Sequence, residues 1–316
     1  MISSKVIFSV VIPCFNVEDT LSKSIDSVLN QDFLNFEIVA VNDGSTDNTV
    51  AILKSYEKKN KIKFITQTNK GLGAARNTGI KNSKGEYICL LDADDLWVSN
   101  KLSLINKIIN KNKPSLISND EIILESKKLI YLKNNPPKNL SNLLIAGNTL
   151  SPSGMTIKRD LFNKIGFFSE DKNYLGVEDW DLWVRAIDFG EKIAYISEPL
   201  GIYRRDIQNM SKSLDFNQRI INMFKIKSHF FQSKGVISIA DMNNWETLLL
   251  LNNFLKNPNR KNLSSFYKYL KKRNFRYLFS FSLVKILLRL VFRKIERLVL
   301  TLYKYRRLKC IARELL

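Results

Sequence analysis

Residues 6–91 alternate short apolar runs with segments that have helical periodicity. The apolar runs VIFSVVIP and FEIVAV are rich in β-branched residues, which is typical of strands buried on both faces of a sheet, and IKFIT and YICLL predict two further strands. Between them, Leu21, Ile25 and Val28 recur at the spacing of one helical face, and VAILKSYEKK and LGAARNTGIKNS predict two further helices. This alternation predicts an α/β fold with a mostly parallel sheet and right-handed crossovers.

Polar clusters follow three of these runs, at the points where the predicted strands end. They are Asn16, Asn42–Asp47 and Asp92–Asp95. In an open parallel sheet, ligands bind outside the carboxyl ends of the strands. The three clusters are therefore expected to converge on one cleft.

The acidic cluster suits a divalent cation. Asp92 and Asp94 are separated by one residue, so both can face one ion from an extended loop. Oxygen ligands without Cys or His favour Mg²⁺ or Mn²⁺, which shares its shell with water and substrate phosphates. The alternative is that these aspartates cap a helix beginning near Trp97, a role that suits Asp95.

The sequence does not match two other nucleotide-binding motifs. The chain contains no G-x-x-x-x-G-K-[ST] sequence, which argues against a P-loop. The segment GLGAAR begins like a dinucleotide fingerprint, but Arg76 stands where the third glycine belongs and the segment follows the third strand rather than the first. It predicts only the start of a helix.

Charge and cysteine usage divide the chain. Residues 207–316 hold 23 Lys and Arg against 5 Asp and Glu, whereas residues 1–206 are nearly balanced, with 27 against 25. Such asymmetry indicates an acidic partner surface, either anionic lipid or nucleic acid. Cys14 and Cys89 lie in apolar runs, and with Cys310 they lack metal-ligand spacing, so small core residues in a reducing compartment are expected.

Five ordered motifs, VVIPCFN, VNDGSTDNT, NKGLGAARNTGI, YICLLDADD and GVEDWDLWVRA, resemble the inverting glycosyltransferases of family 2. The resemblance covers residues 7–206. It implies the GT-A nucleotide-diphospho-sugar transferase fold, a Rossmann-like sheet flanked by helices, and a nucleotide-sugar donor, usually a UDP-sugar. It also implies that Asp92 and Asp94 hold the metal on the donor diphosphate.

Four further residues carry over from the donor half of the family pattern. Pro13 and Asn16 match the region that lines the nucleoside pocket, and Asp43 matches the acid that accepts a hydrogen bond from the base. Arg76 matches a basic residue close to the nucleotide or its phosphates. The alternatives are a strand stop for Pro13, a turn former for Asp43 and a solvated helix residue for Arg76.

The segment EDWDLW corresponds to the acceptor side. A base must remove the acceptor hydroxyl proton as that oxygen attacks the anomeric carbon, and the resemblance assigns this role to Asp179. Glu178 and Asp181 are expected to orient the acceptor or the helix. Trp180 and Trp183 lie three residues apart on one helical face, where a ring stacks on a sugar or packs in the core.

Two more segments bear on the reaction. Ser153 and Gly154, in SPSGMTI, match the segment between the donor and acceptor sites, where they bring backbone close to the donor sugar or form a plain turn. Asp206 stands where relatives often have a metal-proximal histidine, which puts a third protein ligand in doubt. The Gln-x-x-Arg-Trp motif of processive synthases is absent, which argues for transfer of one or a few sugars.

We therefore expect a catalytic domain over residues 1–206, with a donor half to about residue 95 and an acceptor half after it. Residues 207–316 are expected to form a helical basic extension. Within it, LVKILLRLVFRKIERLVL, residues 283–300, is too interrupted by charge to span a membrane and predicts a basic amphipathic helix at the membrane interface. The alternative is a helix packed on the catalytic domain or on a second copy of the chain.

These features predict a peripheral enzyme at the cytoplasmic face of the cell membrane that acts on a glycan or glycolipid acceptor. Nucleic acid is not expected as a partner, because the sequence contains no recognisable nucleic-acid-binding motif. One rival is a sugar nucleotidyltransferase, but VIPCFNVEDT offers no Gly-rich basic loop for a triphosphate. The other is a non-catalytic membrane-bound assembly subunit. The intact Asp92, Asp94 and Asp179 argue against it.

Overall fold

The computed structural model describes residues 6–125 and 128–204, together with Asn222, Met223, Ile226 and His229. Its first half contains four strands in parallel, in the order β3-β2-β1-β4. These strands are β1 (Phe8–Cys14), β2 (Phe36–Asp43), β3 (Lys63–Gln67) and β4 (Tyr87–Leu90). Three helices connect them: α1 (Leu21–Leu29), α2 (Thr49–Lys58) and α3 (Leu72–Lys81). The predicted α/β alternation is confirmed.

The second half extends the same sheet with strands of both directions. Its elements are β5 (Leu96–Trp97), α4 (Lys101–Asn112), β6 (Leu116–Glu125), β7 (Lys128–Leu132), α5 (Leu140–Ala146), β8 (Met155–Lys158), α6 (Arg159–Ile165), α7 (Glu178–Asp188) and β9 (Ile193–Arg204). Strand β8 joins the halves, because it pairs antiparallel with both β4 and β6. The sheet continues through β9, which is parallel to β6, to β5, and β7 pairs with β6.

The core lies on both faces of β1, β2 and β4, whereas no residue of the edge strand β3 is buried. All seven residues of β1 are buried, as the continuous apolar run predicts. Helix α3 lies close against β1, and a Cβ added at Gly79 would stand 2.4 Å from Val11 Cγ1. Cys14 and Cys89 are free thiols in this core, as predicted, and burial raises the pKa of Cys89 to about 11.

The helix predicted to begin near Trp97 is present but begins later along the chain, at Lys101. Leu96 and Trp97 form β5, which pairs antiparallel with β9, and helix α4 begins only at Lys101. The backbone N–H of Trp97 donates to Ser27 Oγ at 3.2 Å, and the tryptophan is fully buried. Pairing with a strand about a hundred residues later therefore prevails over local helix signals. Asp95 does not cap a helix.

The polar loops lie where the topology predicts a ligand. Strand β1 has β2 on one side and β4 on the other, so the chain order reverses at β1. Such a reversal opens a crevice at the carboxyl ends of the strands. Among the described residues, no helix is both long enough and apolar enough to cross a bilayer. Asp206, Cys310 and the segment 283–300 lie outside the described residues.

Candidate active site

Two loops at the carboxyl ends of β1 and β2 are joined through Asn16. This residue has a left-handed backbone, with φ of 51°. Its backbone N–H donates to Ser45 Oγ at 3.0 Å, and its Oδ1 accepts from the N–H of Thr46 at 2.8 Å. Pro13 is buried in β1 beside Val41 of β2. Asn16 is exposed at the rim of the crevice and holds the loops together.

Asp43, the last residue of β2, organises the turn that leads into α3. Its Oδ1 accepts from Gln67 Nε2 at 2.7 Å and from the N–H of Lys70 at 2.9 Å. Its Oδ2 accepts from the N–H of Gly71 at 2.9 Å. Gly71 has φ of 91°, a conformation that favours glycine. Asp43 is buried, and since each carboxylate oxygen has two acceptor sites, Oδ2 has capacity for a second donor.

The acidic loop after β4 presents two carboxylates and buries the third. Asp92 and Asp94 are partly exposed, whereas Asp95 is fully buried. Ser153 Oγ accepts from the N–H of Asp92 at 3.0 Å and donates to Asp95 Oδ2 at 2.6 Å. The N–H of Arg204 donates to Asp95 Oδ1 at 3.3 Å. The three aspartates therefore divide into two that face the crevice and one that anchors the loop.

The electrostatics of this loop fit a cation. Burial and the charge of Asp92 raise the pKa of Asp94 to about 6. Burial, and then the charges of Asp94 and Asp92, raise the pKa of Asp95 well above its ordinary value. A divalent ion would relieve this repulsion. The residues that the structure describes contain no group of three or more Asp, Glu, His or Cys able to hold a metal. Asp92 and Asp94 would therefore share the ion with phosphate oxygens and water.

Arg76 connects this loop to helix α7. Its guanidinium is buried, with Nη2 2.8 Å from Asp92 Oδ1 and Nη1 3.4 Å from Glu178 Oε1. It also lies over the ring of Phe168, 5.4 Å from the centroid. Burial opposes the charge of this group, but Asp92, Glu178 and Asp179 raise its pKa. The alternative of a solvated helix residue is therefore wrong for Arg76. Arg76 bridges two acidic segments, the loop that contains Asp92 and the first turn of α7 that contains Glu178.

Asp179, the predicted base, lies in the first turn of α7. Its Oδ2 accepts from Asn148 Nδ2 at 2.7 Å, and its Oδ1 accepts from the N–H of Trp180 at 2.7 Å. Burial raises its pKa, and the nearby Arg76 partly offsets that rise. Burial and the charge of Asp179 likewise raise the pKa of Glu178. Asp179 is half-buried, whereas Glu178 is buried, so Asp179 is the more accessible carboxylate of this pair.

The other predicted residues of the acceptor half serve the protein interior. Trp180 and Trp183 are fully buried, so neither ring offers a face to a sugar. Asp181 forms an ion pair with Arg185 one turn later, at 2.7 Å. A Cβ added at Gly154 would lie 3.1 Å from Asn134 Nδ2, inside the protein.

Sequence reasoning missed three residues of this arrangement. Asn148, which holds the predicted base, lies in an irregular polar segment that carries no motif. Lys101, on α4, is fully buried and donates to the carbonyl oxygen of Ser153 at 2.7 Å. Phe168 packs against Arg76 from the loop before α7. The sequence offered a weak signal only for Lys101, a lysine at the buried end of an amphipathic helix.

Comparisons with known proteins identify the family. The model of glycosyl transferase family 2 matches residues 9–166, and the chain belongs to this family. An uncharacterized glycosyltransferase of Rickettsia typhi is 35% identical over 188 residues, which are 57% of this chain and 58% of that protein. The UDP-Glc:alpha-D-GlcNAc-diphosphoundecaprenol beta-1,3-glucosyltransferase WfgD of Escherichia coli is 31% identical over 180 residues, 57% of this chain and 69% of WfgD. The match therefore spans less than two thirds of the Rickettsia relative.

Solved structures show the same fold. The crystal structure of S. aureus TarS residues 1–349 in complex with UDP-GlcNAc superposes with a TM-score of 0.63 at 21% identity, covering 84% of this chain and 79% of that one. A second TarS structure, in complex with UDP, gives a TM-score of 0.60 at 22% identity and covers 78% and 72% of the two chains. The predicted GT-A fold is confirmed.

Proposed function

We propose that the chain is an inverting, metal-dependent glycosyltransferase that moves one sugar from a UDP-sugar to a hydroxyl of a lipid-linked or cell-envelope glycan. One observation carries the proposal. Arg76 pairs with Asp92 on one side and with Glu178, the neighbour of Asp179, on the other. The two acidic segments that the reaction needs therefore lie on either side of one guanidinium, in one crevice.

The donor is proposed to lie across the carboxyl ends of β1 and β2. Asn16, Asp43 and the buried Pro13 are the residues proposed to contact its nucleoside, and the remaining acceptor site on Asp43 Oδ2 suits an N–H of the base. The family of the chain supports a nucleotide-sugar. The printed names of the relatives support UDP, since WfgD acts on UDP-Glc and TarS was solved with UDP-GlcNAc.

Asp92 and Asp94 are the residues proposed to hold a divalent cation, Mg²⁺ or Mn²⁺. When bound, such an ion supplies positive charge to the diphosphate leaving group. Asp94 is well suited to this role because burial and the charge of Asp92 raise its pKa to about 6. It is ionised near neutral pH but lies in an environment that favours a positive partner.

Asp179 is proposed as the general base. In the step, the acceptor oxygen forms a bond to the anomeric carbon, the bond from that carbon to the diphosphate oxygen breaks, and the acceptor proton passes to Asp179. The hydrogen bonds from Asn148 and from the N–H of Trp180 fix both carboxylate oxygens, and burial raises the pKa of Asp179, which makes it a stronger base. A single displacement inverts the anomeric configuration.

The acceptor and the location complete the proposal. WfgD is named for a diphosphoundecaprenol-linked acceptor, which supports a lipid-linked glycan here. The net charge of residues 207–316, with 23 basic and 5 acidic residues, supports a peripheral location on the cytoplasmic face of the cell membrane. The apolar residues of this extension also allow two copies of the chain to associate through it.

The proposal is tested by measuring UDP release and sugar transfer with a panel of nucleotide-sugars and the full chain. Mg²⁺ or Mn²⁺ is expected to support the reaction, and excess chelator is expected to stop it. Asp94→Ala is expected to lose metal-dependent UDP binding while remaining folded. The matched control is Asp160→Ala, because this exposed carboxylate lies near Tyr87, at the opposite end of β4.

Two results would count against the proposal. Full turnover in excess chelator would remove the metal from the mechanism. If no nucleotide-sugar of the panel binds or is consumed, the proposed transferase activity is wrong.

A further inference from the structure

Ser153 ties the acidic loop to the body of the protein through its side chain. The hydroxyl accepts from the N–H of Asp92 at 3.0 Å and donates to the Asp95 carboxylate at 2.6 Å. Ser153 is fully buried, so water does not compete for these bonds. One hydroxyl therefore fixes both ends of the loop that carries Asp94.

The backbone of Ser153 is itself held from helix α4. Its carbonyl oxygen accepts from Lys101 Nζ at 2.7 Å and from Trp97 Nε1 at 3.2 Å. The Lys101 ammonium also lies over the Trp97 ring, 4.4 Å from the centroid. Both side chains are fully buried. A continuous hydrogen-bonded support for the acidic loop is therefore formed by Lys101, Trp97 and Ser153. These three residues are called the lysine anchor below.

A buried ammonium is unfavourable for folding unless its surroundings need a positive charge. Burial lowers the pKa of Lys101 to about 8, while the charges of Glu121 and Asp95 raise it. Conversely, burial raises the pKa of Glu121, and the charge of Lys101 lowers it. Lys101 is therefore a buried cation whose charge interacts with Glu121 and Asp95, whereas Arg76 pairs with Asp92.

The geometry points to Lys101 as a positioning residue for donor binding. Through the carbonyl of Ser153 it fixes the loop in the shape in which Asp92 and Asp94 take a metal-bound nucleoside diphosphate. This inference rests on the proposed function, because it assumes that the acidic loop binds the metal and the nucleotide-sugar. It does not require Lys101 to touch the donor.

The test is Lys101→Met in the full chain, with Mn²⁺ and UDP as the probe. Methionine keeps a long apolar side chain but removes the charge and the bond to Ser153. Calorimetry is expected to show Mn²⁺-dependent UDP affinity weaker by about 10-fold or more, as the loss of a charge-assisted hydrogen bond predicts. Electron paramagnetic resonance of Mn²⁺ reports the same loss without turnover. The KM for the donor is expected to rise more than kcat falls.

The matched control is Lys107→Met, which removes the same charge from an exposed position of the same helix and is expected to bind Mn²⁺ and UDP like the wild type. Ser153→Ala provides a second test of the same loop, because it removes the hydroxyl bonds to Asp92 and Asp95 and leaves Lys101 intact. If Lys101→Met does not fold, wild-type affinity in Ser153→Ala would still overturn the inference, because the lysine anchor acts on the acidic loop only through Ser153. In the double variant the loss is expected to stay close to that of the weaker-binding single variant.

Wild-type affinity in Lys101→Met, or in Ser153→Ala, would overturn the inference while leaving the proposed function intact. Losses that multiply in the double variant would also overturn it, since they would mean that the two residues act independently. Failure of the wild-type chain to bind UDP with Mn²⁺ would instead contradict the proposed function, and with it the purpose assigned to Lys101.

Discussion

Replacing Arg76 by methionine tests whether one buried guanidinium holds the two acidic segments together. The change removes contacts of 2.8 Å to Asp92 and 3.4 Å to Glu178 but keeps an apolar side chain against Phe168. The two partners differ in their exposure. The Asp92 side chain is 26% exposed and can be solvated, whereas the Glu178 side chain is only 6% exposed.

The magnitude follows from Glu178. Breaking a buried pair by removing one partner costs about 3–5 kcal/mol, because the remaining charge is left uncompensated. The contact to Glu178 is long and Asp92 reaches water, so we expect the lower end, about 3 kcal/mol of lost unfolding free energy at pH 8.

The loss is expected to depend on pH with a definite sign. Burial and Asp179 raise the pKa of Glu178, whereas Arg76 lowers it, so the variant has a still higher Glu178 pKa. Below that pKa the acid is neutral and its burial costs less. The destabilisation is therefore expected to be smaller at pH 5 than at pH 8. The difference in unfolding free energy between the wild type and Arg76→Met therefore increases as pH rises.

Urea unfolding followed by tryptophan fluorescence measures these differences. Arg76→Met combined with Glu178→Gln is expected to recover most of the loss at pH 8. The control is Arg159→Met, because Arg159 donates to the carbonyls of Gly85 and Ile80 and to Ser83 Oγ, so its loss should not grow with pH. A loss in Arg76→Met that is equal at pH 5 and pH 8, or a double variant no more stable than the single, would refute the reasoning.

Two further predictions concern the metal site and the tail. The affinity for UDP with Mn²⁺ is expected to weaken about tenfold per pH unit as pH falls below the Asp94 pKa of about 6, because a carboxylate must lose its proton to bind the metal. Calorimetry across pH 5–8 measures this affinity, and an affinity that does not change with pH would contradict the prediction. The full chain is expected to bind anionic liposomes more weakly as salt rises, and changing Lys285, Arg289 and Arg293 together to Glu should release it while nucleotide binding persists. Unchanged sedimentation of that variant with liposomes would mean that the basic stripe is not a membrane contact.

The parallel half of the fold was predictable because local and global signals agree there. Each apolar run of residues 6–91 forms one strand, and α1 buries the apolar face that its sequence predicts. The error at Trp97 arose because its strand exists only through pairing with Gly201, far along the chain. No local pattern reports such a partner.

The position of the candidate site was predictable from the sequence. The side-chain contacts that join its segments were less so. The convergence of Asn16, Asp43 and the acidic loop followed from the strand ends. The burial of Arg76 did not, because it depends on Glu178, 102 residues later in the chain. Ser153 similarly meets Asp95 across 58 residues. Contacts of this kind are set by tertiary packing, which spacing along the sequence does not encode.

The most direct test of the account compares binding with turnover in Asp179→Asn. Asparagine keeps the size of the side chain and can still accept from the N–H of Trp180, although its amide group no longer suits the donor Asn148 Nδ2. The account predicts near-normal affinity for UDP-sugar with Mn²⁺ and turnover lower by at least ~10²-fold, the low end for losing a general base. Turnover equal to the wild type would contradict it and would make Glu178 the next candidate for the base.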